Sequence, residues 1–221
     1  MKQFSLTHIV RKPAVPSNGR PPLLLLLHGV GSNEQDLMGL APALDGRFLI
    51  VSARAPITLD RGAYAWFHIQ FTPAGIVIAP EEAEASRVLL LKFVDEVVEE
   101  YQADPARVYL MGFSQGCIMS LAAALTEPKK FAGVVGMSGR LMPEVLPKIA
   151  APEDLKGLPF FIVHGTADEV LPIAHGRGIR DVLRELPVDL TYREYPMGHS
   201  VSQQSLDDIT EWLEARLALT I

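Results

Sequence analysis

A serine stands between two glycines at residues 112–116, in the order Gly-Phe-Ser-Gln-Gly. The apolar residues before it predict a strand over 108–113, and those after it predict a helix over 115–126. Glycine on both flanks removes the side chains that would clash at a sharp strand-to-helix turn, so such a turn can expose the Ser114 hydroxyl. This spacing is typical of a serine nucleophile. The alternative is a turn that merely contains a serine.

A serine nucleophile needs a base, and the base needs a third group that orients it. Asp168 lies just beyond a predicted strand over 160–164, and His199 lies between the last predicted strand and the last predicted helix. Each has a plain alternative, a turn or helix cap for Asp168 and a surface loop for His199. Together they follow Ser114 in the order acid, then histidine, each after a strand, and this order predicts a Ser-Asp-His triad.

Other titratable residues fit these roles less well. His164 lies at a strand end, and His175 lies within or just before a predicted helix. Asp181 lies on a helix face, and Asp189 lies at a strand start. His8 and His68 precede the serine, which breaks the expected order. We expect His164 to order its turn and His175 to be solvated.

A second glycine-rich corner follows the predicted strand over 23–28, in the sequence Leu-Leu-His-Gly-Val-Gly-Ser-Asn. Gly29 and Gly31 would let the backbone approach a substrate closely. The backbone N–H groups of Val30 and of Gln115, the residue after Ser114, are therefore the predicted donors to a developing oxyanion. A phosphate-binding turn is the alternative, but neither nucleotide-binding glycine pattern is present.

The elements that must position these residues alternate between strand and helix. Buried strands are predicted over 23–28, 48–53, 108–113, 132–137 and 160–164, a further strand over 189–195, an edge strand or hairpin arm over 4–11, and helices over 33–44, 81–102, 115–126, 173–186 and 202–219. This pattern predicts the α/β class, with a mostly parallel central sheet and helices on both faces. No linker divides the chain, so we expect one domain over 1–221.

Residues 54–80 have no regular pattern, which predicts a long functional loop. Its apolar side chains are expected to form a wall beside Ser114, shared with Val30 and Leu171: Trp66, Phe67, Phe71, Ile76 and Ile78. Trp66, Phe67, Ile76 and Leu171 are the residues predicted to bind substrate. For the Trp66-Phe67 pair, plain core packing remains the alternative.

Composition narrows the possible partners. The chain has 221 residues, 48% of them apolar, and a formal net charge of −6, which disfavours binding to nucleic acid. One cysteine allows no intrachain disulfide, and the N-terminus lacks a secretory signal, so we expect a cytoplasmic protein. The longest aliphatic run, over 23–27, is too short to cross a bilayer. The histidine spacing and single cysteine predict no metal site.

The sequence resembles the phospholipase/carboxylesterase family of α/β-hydrolases, which includes the acyl-protein thioesterases. The matching segments are LLLHGVGSNEQDL, AWF, VYLMGFSQG, HGTADEVLP and GHSV, in family order from about residue 20 onward. The resemblance implies an α/β-hydrolase fold, a triad of Ser114, Asp168 and His199, oxyanion donors at Val30 and Gln115, and no cofactor. It also implies hydrolysis of carboxylic esters, and for some members of lysophospholipids or protein thioesters. A homodimer remains possible.

Two positions depart from the family pattern. Cys117 stands where many members have a second glycine, and His68 stands where many have aspartate after Trp-Phe. We expect Cys117 to be a buried small residue rather than a redox centre. The sequence thus predicts a serine carboxylesterase for short- to medium-chain esters. The alternatives are an acyl-protein thioesterase or lysophospholipase and, from another class, a catalytically silent binding module.

Overall fold

The computed structural model describes residues 3–16, 19–72 and 75–218, with the side chains of residues 71, 72, 75 and 76 outside that description. The strands are β1 His8–Arg11, β2 Leu23–Leu27, β3 Leu49–Ala53, β4 Ile57–Asp60, β5 Ala63–Ala65, β6 Ile69–Thr72, β7 Gly75–Ile78, β8 Val108–Phe113, β9 Gly133–Met137, β10 Pro159–Gly165 and β11 Asp189–Tyr195. The α-helices are α1 Pro80–Glu100, α2 Gln115–Thr126, α3 Pro152–Leu155, α4 Ala174–Arg184 and α5 Gln203–Ala218. Three short 3₁₀ helices cover Leu37–Ala43, Pro128–Lys130 and Pro143–Lys148.

Seven strands form one central sheet in the order β1-β3-β2-β8-β9-β10-β11. Only the edge strand β1 runs antiparallel to its neighbour, and every other pair in this sheet is parallel. The predicted α/β class and mostly parallel sheet are therefore confirmed. Because parallel neighbours end on the same side, the loops after β2, β8, β9 and β10 meet at one edge of the sheet.

The five inner strands of the sheet are buried on both faces, which explains why they are nearly continuous apolar runs. Along β2, Leu23, Leu25 and Leu27 join a core cluster with residues of α1, α2 and α4. The alternate residues Leu24 and Leu26 join a second cluster with α5 and the 3₁₀ helix Leu37–Ala43. All five leucines are fully buried, so the sheet provides a rigid platform for the loops at its edge.

Two segments differ from the sequence prediction. The helix predicted over 33–44 is a 3₁₀ helix over Leu37–Ala43, and it contains Pro42, which has no N–H for a helical hydrogen bond. The loop predicted over 54–80 instead contains two hairpins, β4 with β5 and β6 with β7. Strands of three or four residues, one pair interrupted by an irregular register, are too short to show a clear alternating pattern.

None of the helices in the described part of the chain is both long and apolar enough to cross a membrane.

Candidate active site

Ser114 occupies the turn between β8 and α2. Its backbone has φ 54° and ψ −115°, a conformation that a residue other than glycine adopts only under constraint. A Cβ added to Gly112 would lie 2.2 Å from the Gly116 carbonyl oxygen, and one added to Gly116 would lie 1.9 Å from the Leu27 carbonyl oxygen. Only glycine fits at either flank. The Ser114 N–H is held by the Met137 carbonyl oxygen at 2.9 Å.

The structure brings His199 between Ser114 and Asp168. His199 Nε2 lies 3.0 Å from Ser114 Oγ, and His199 Nδ1 lies 2.7 Å from Asp168 Oδ2. A carboxylate only accepts, so His199 Nδ1–H donates to Asp168 and leaves Nε2 free to accept the Ser114 hydroxyl proton. Ser114 is 7% and Asp168 5% exposed, so both partners are shielded from bulk water.

Asp168 is fixed by hydrogen bonds from its own turn, which follows β10. Its Oδ1 accepts the backbone N–H groups of Val170 at 2.9 Å and Leu171 at 2.8 Å. His164, at the end of β10, is fully buried and donates from Nε2 to the Leu171 carbonyl oxygen at 2.7 Å. The same Nε2 lies 3.4 Å from Asp168 Oδ2. The expectation that His164 orders this turn is confirmed.

The two predicted oxyanion donors, Val30 and Gln115, line the same cavity as Ser114. Gln115 is the first residue of α2, and the N–H groups of a helix's first turn have no acceptor within that helix. The other corner comes close, because a Cβ on Gly29 would lie 3.2 Å from Ser114 Cβ. Gly31 has φ 79°, which favours glycine at that position of the corner.

The Gln115 side chain ties the nucleophile turn to the segment after β5. Its Oε1 accepts the Trp66 backbone N–H at 2.9 Å, and its Nε2 donates to the Phe67 carbonyl oxygen at 2.7 Å. Trp66 Nε1–H donates to the His28 carbonyl oxygen at 3.0 Å, at the start of the glycine-rich corner. The Gln115 amide and the Trp66 indole therefore hold both segments that carry the predicted oxyanion donors against the hairpin. Sequence reasoning missed this role for the Gln115 side chain.

His28 is a second residue that sequence reasoning missed. Its side chain is fully buried, with Nδ1 donating to the Gly29 carbonyl oxygen at 2.7 Å and Nε2 accepting the Ala55 N–H at 3.0 Å. This pattern requires a neutral ring, and burial lowers the pKa of His28. The signal was the His-Gly pair directly after β2, a strand composed only of leucine.

A cavity of about 60 Å³ adjoins Ser114, and His199 is not among the residues that line it. Its lining is apolar apart from Ser114, Gln115 and one arginine: Val30, Phe67, Ile69, Ile78, Ser114, Gln115, Ile118, Arg140, Val170 and Leu171. We call it the acyl cavity. Phe67 and Leu171 lie in this wall, as the sequence predicted, whereas the side chain of Ile76 falls outside the described residues.

Trp66 differs from the expectation that it lines the substrate wall. Its side chain is fully buried in the core cluster and is absent from the lining of the acyl cavity. The physical reason is the bond from its indole N–H to the His28 carbonyl oxygen, which directs the ring inward beneath the glycine-rich corner. Trp66 therefore supports the corner, and Phe67 forms the wall.

A separate groove adjoins His199. Its lining contains His199 but not Ser114: Asp36, Leu37, Leu40, Phe113, His199, Ser200 and Val201. We call it the histidine groove. The Phe113 ring packs on the His199 ring with centroids 4.8 Å apart, which limits how far the imidazole can rotate.

The rival residues lie in other contacts. Asp181 pairs with Arg180, Asp189 with Arg216, and His68 with Glu82. Cys117 is fully buried, and burial raises the pKa of its thiol to about 12, so the prediction of an inert buried residue is confirmed. His175 is half-buried rather than solvated. No cluster of three or more His, Cys, Asp or Glu suited to a metal ion occurs within residues 3–16, 19–72 and 75–218.

Comparison with known proteins gives a consistent assignment. The profile of the Phospholipase/Carboxylesterase family matches residues 10–217. Acyl-protein thioesterase 1 of Neurospora crassa is 32% identical, with 90% of this chain and 92% of the relative aligned. Carboxylesterase SOBER1 of Arabidopsis thaliana is 30% identical, with 88% and 90% aligned. A carboxylesterase structure from Mesorhizobium loti superimposes with a TM-score of 0.82 at 20% identity, covering 97% of each chain.

The chain therefore belongs to the phospholipase/carboxylesterase family, and the resemblance stated from its motifs is confirmed. It is an enzyme of the serine hydrolase class with the α/β-hydrolase fold.

Proposed function

We propose that this family member is a carboxylesterase that hydrolyses short- to medium-chain esters through an acyl-enzyme on Ser114. The observation that carries the proposal is the continuous hydrogen-bond chain from Ser114 Oγ through His199 to Asp168. That arrangement matches what a serine needs in order to attack a carbonyl carbon, namely a base within reach and an acid that fixes the base.

In the first half-reaction Ser114 Oγ attacks the ester carbonyl carbon while His199 Nε2 takes the hydroxyl proton. Asp168 accepts from Nδ1–H and stabilises the imidazolium. Collapse of the tetrahedral intermediate breaks the bond to the leaving alcohol, which receives the proton from His199. Water then attacks the acyl-enzyme, with His199 again the base, and the free acid leaves.

The tetrahedral intermediate carries a negative oxygen that needs preorganised donors. We assign this role to the N–H groups of Val30 and Gln115, which flank Ser114 in the acyl cavity. The support for this assignment is the rigidity of both segments, since the Gln115 amide and the Trp66 indole bind them to one hairpin. Donors held in place need no reorganisation at the moment of reaction.

The preference for short to medium acyl groups rests on the acyl cavity. Its volume of about 60 Å³ is small beside the roughly 300–1,000 Å³ of typical ligand pockets. The histidine groove, lying past His199, is the natural path for the leaving group, because His199 must reach the leaving oxygen to protonate it. We therefore place the ester carbonyl beside Ser114, with the acyl chain in the acyl cavity and the leaving group in the histidine groove.

Thioester or lysophospholipid hydrolysis is the second candidate. A relative bears the name acyl-protein thioesterase 1, and the same acyl-enzyme chemistry would cleave a thioester. A silent binding role is the third candidate, and the intact hydrogen-bond chain argues against it. We include in the proposal a single α/β-hydrolase domain over residues 1–221 and a cytoplasmic location.

Labelling with a fluorophosphonate tests the nucleophile, and a panel of substrates tests the class. Wild-type protein should label stoichiometrically and Ser114→Ala should not label, with hydrolysis reduced on the order of 10⁴-fold or more. The panel compares kcat/KM for p-nitrophenyl esters, acyl thioesters and lysolipids at concentrations below micelle formation. Absence of labelling in the wild type would favour the silent module, and labelling of Ser114→Ala at another residue would reject Ser114.

A further inference from the structure

Arg140 lies at the edge of the acyl cavity, in the loop that follows β9. Two residues earlier, Ser138 has φ 49°, one of three described non-glycine residues with positive φ; Ser114 is another. The intervening Gly139 packs so closely on the nucleophile turn that an added Cβ would lie 2.4 Å from Cys117 Sγ and 3.4 Å from the Ser114 carbonyl oxygen. The loop is thus pressed against the nucleophile turn, and this packing delivers Arg140 to the cavity.

Arg140 is half-buried, and its side chain makes no hydrogen bond or ion pair with the described residues. Arg54, by contrast, is paired: its guanidinium donates two hydrogen bonds to the Glu34 carboxylate. Burial lowers the pKa of Arg140. The Glu144 carboxylate raises this pKa, although the two side chains do not form an ion pair. A half-buried cation at an apolar cavity has lost part of its hydration, and without a hydrogen-bond acceptor this desolvation is not compensated. An anionic ligand would provide the compensating hydrogen bonds.

Arg140 lines the cavity that we assign to the acyl group, not the groove that we assign to the leaving group. Arg140 lines the cavity that contains Ser114 and the oxyanion residues, whereas the histidine groove contains no arginine and has Asp36 in its lining. An anion on the leaving group would therefore face a carboxylate. An anion at the far end of the acyl chain would face Arg140.

The groove beyond Arg140 has room for that end. It measures about 220 Å³ and shares Arg140 with the acyl cavity, and its lining includes His175. Burial and the nearby guanidinium lower the pKa of His175, so the imidazole is neutral and can donate one hydrogen bond. The titratable groups that line this groove are Arg140 and His175. Glu144, in the 3₁₀ helix Pro143–Lys148, acts electrostatically on Arg140 but lines neither the groove nor the acyl cavity.

We propose that Arg140 is a specificity-determining residue that binds a carboxylate at the end of the acyl chain, so that half-esters of short dicarboxylic acids are preferred substrates. The inference rests on the proposed esterase function and adds the substrate class. The apolar lining of the acyl cavity would contact the methylenes, and the guanidinium would form the paired hydrogen bonds that arginine makes with carboxylates.

The test compares matched pairs of methyl esters. Monomethyl succinate, glutarate and adipate are measured against methyl butyrate, pentanoate and hexanoate, which have the same number of methylenes but end in a methyl group. The readout is the ratio of kcat/KM, acidic over neutral, in wild type, Arg140→Met and Arg140→Lys. Arg184→Met, in the exposed last turn of α4, is the matched control.

We expect Arg140→Met to lower this ratio by about 10- to 100-fold, the usual range for a hydrogen-bonded charge, and Arg140→Lys to lower it less. Arg184→Met should keep the wild-type ratio. A ratio in Arg140→Met within about twofold of wild type would overturn the proposal. So would an equal loss with carboxymethyl hexanoate, whose carboxylate is on the alcohol side, since Arg140 would then be reading the leaving group.

The neutral esters test the proposed esterase function independently of the role of Arg140. If wild type hydrolyses methyl hexanoate and Ser114→Ala does not, the esterase proposal stands whatever Arg140→Met shows. If wild type hydrolyses none of the six esters, both the esterase proposal and the role of Arg140 are rejected.

Discussion

The turn that holds Ser114 and the turn that holds Asp168 are built by opposite means. Both follow parallel strands of one sheet, β8 and β10, and both end at the same edge. The Ser114 turn is held by shape, since glycines are required where a Cβ would approach backbone atoms to 2.2 Å or less. The Asp168 turn is held by polarity, with two backbone N–H groups on one carboxylate oxygen and a histidine on the other.

This difference predicts which substitutions each turn tolerates. A turn defined by close packing should be destroyed by added volume. A turn defined by hydrogen bonds should keep its shape when a polar atom is exchanged, yet lose the function that the atom served.

Asp168→Asn should lower kcat by about 10³–10⁴-fold while the protein stays folded. The amide supplies one acceptor where the carboxylate uses two, so either the Leu171 and Val170 bonds or the His199 bond must be lost. Circular dichroism and thermal unfolding check the fold, and kcat checks the chemistry. Asp181→Asn, on the surface of α4, is the control. Near-normal turnover in Asp168→Asn would place the acid elsewhere.

Gly116→Ala should damage the fold itself. The added Cβ would lie 1.9 Å from the Leu27 carbonyl oxygen and 2.9 Å from that of His28, and backbone atoms cannot move aside cheaply. We expect destabilisation of about 3 kcal/mol or more, a fall of roughly 6–12 °C in Tm, with loss of esterase activity. The measurement is thermal unfolding of the purified variant.

Gly178→Ala is the matched control for that experiment. Gly178 lies in α4 with nothing within 4 Å of an added Cβ. Alanine should there stabilise the helix by about 0.5–1 kcal/mol, because it restricts the unfolded chain and favours the helix. A Tm for Gly116→Ala equal to that of wild type would show that shape does not define the Ser114 turn.

His164→Phe should cost about tenfold in kcat, and His164→Gln should recover part of it. The Phe ring fills the buried site but cannot donate to the Leu171 carbonyl oxygen, which is then left unpaired beside Asp168. Glutamine places a donor near the position of Nε2. A kcat of His164→Phe near that of wild type and above that of His164→Gln would mean that the ring acts through volume alone, as in the Ser114 turn.

The contrast also explains what the sequence could and could not predict. Steric requirements leave a signature in residue types, so Gly112, Ser114 and Gly116 could be read directly, as could the leucines of β2. Asp168 and His199 were found from their order after strands. Other features depend on hairpins and loops packed from distant parts of the chain: the hydrogen bonds of the Gln115 side chain, the inward direction of the Trp66 ring, and the position of Arg140 at the acyl cavity. No local pattern encodes such contacts.

The smallest predicted effect separates the two roles of Leu171. Its backbone N–H holds Asp168, whereas its side chain lines the acyl cavity. Leu171→Ala keeps the first role and removes the second, so kcat/KM for p-nitrophenyl acetate should change little. Each methylene in contact with the wall contributes about 0.8 kcal/mol if fully buried, or roughly fourfold in rate, and about twofold if half-exposed.

The slope of log kcat/KM against acyl length, from acetate to hexanoate, should therefore flatten in Leu171→Ala by up to twofold per carbon. Glu169→Ala is the control, because Glu169 is exposed in the same turn and does not line the cavity. Parallel slopes in wild type and Leu171→Ala would remove this side chain from the acyl site. An equal loss for acetate and hexanoate would instead mean that the side chain supports the acid, and that packing as well as polarity holds the Asp168 turn.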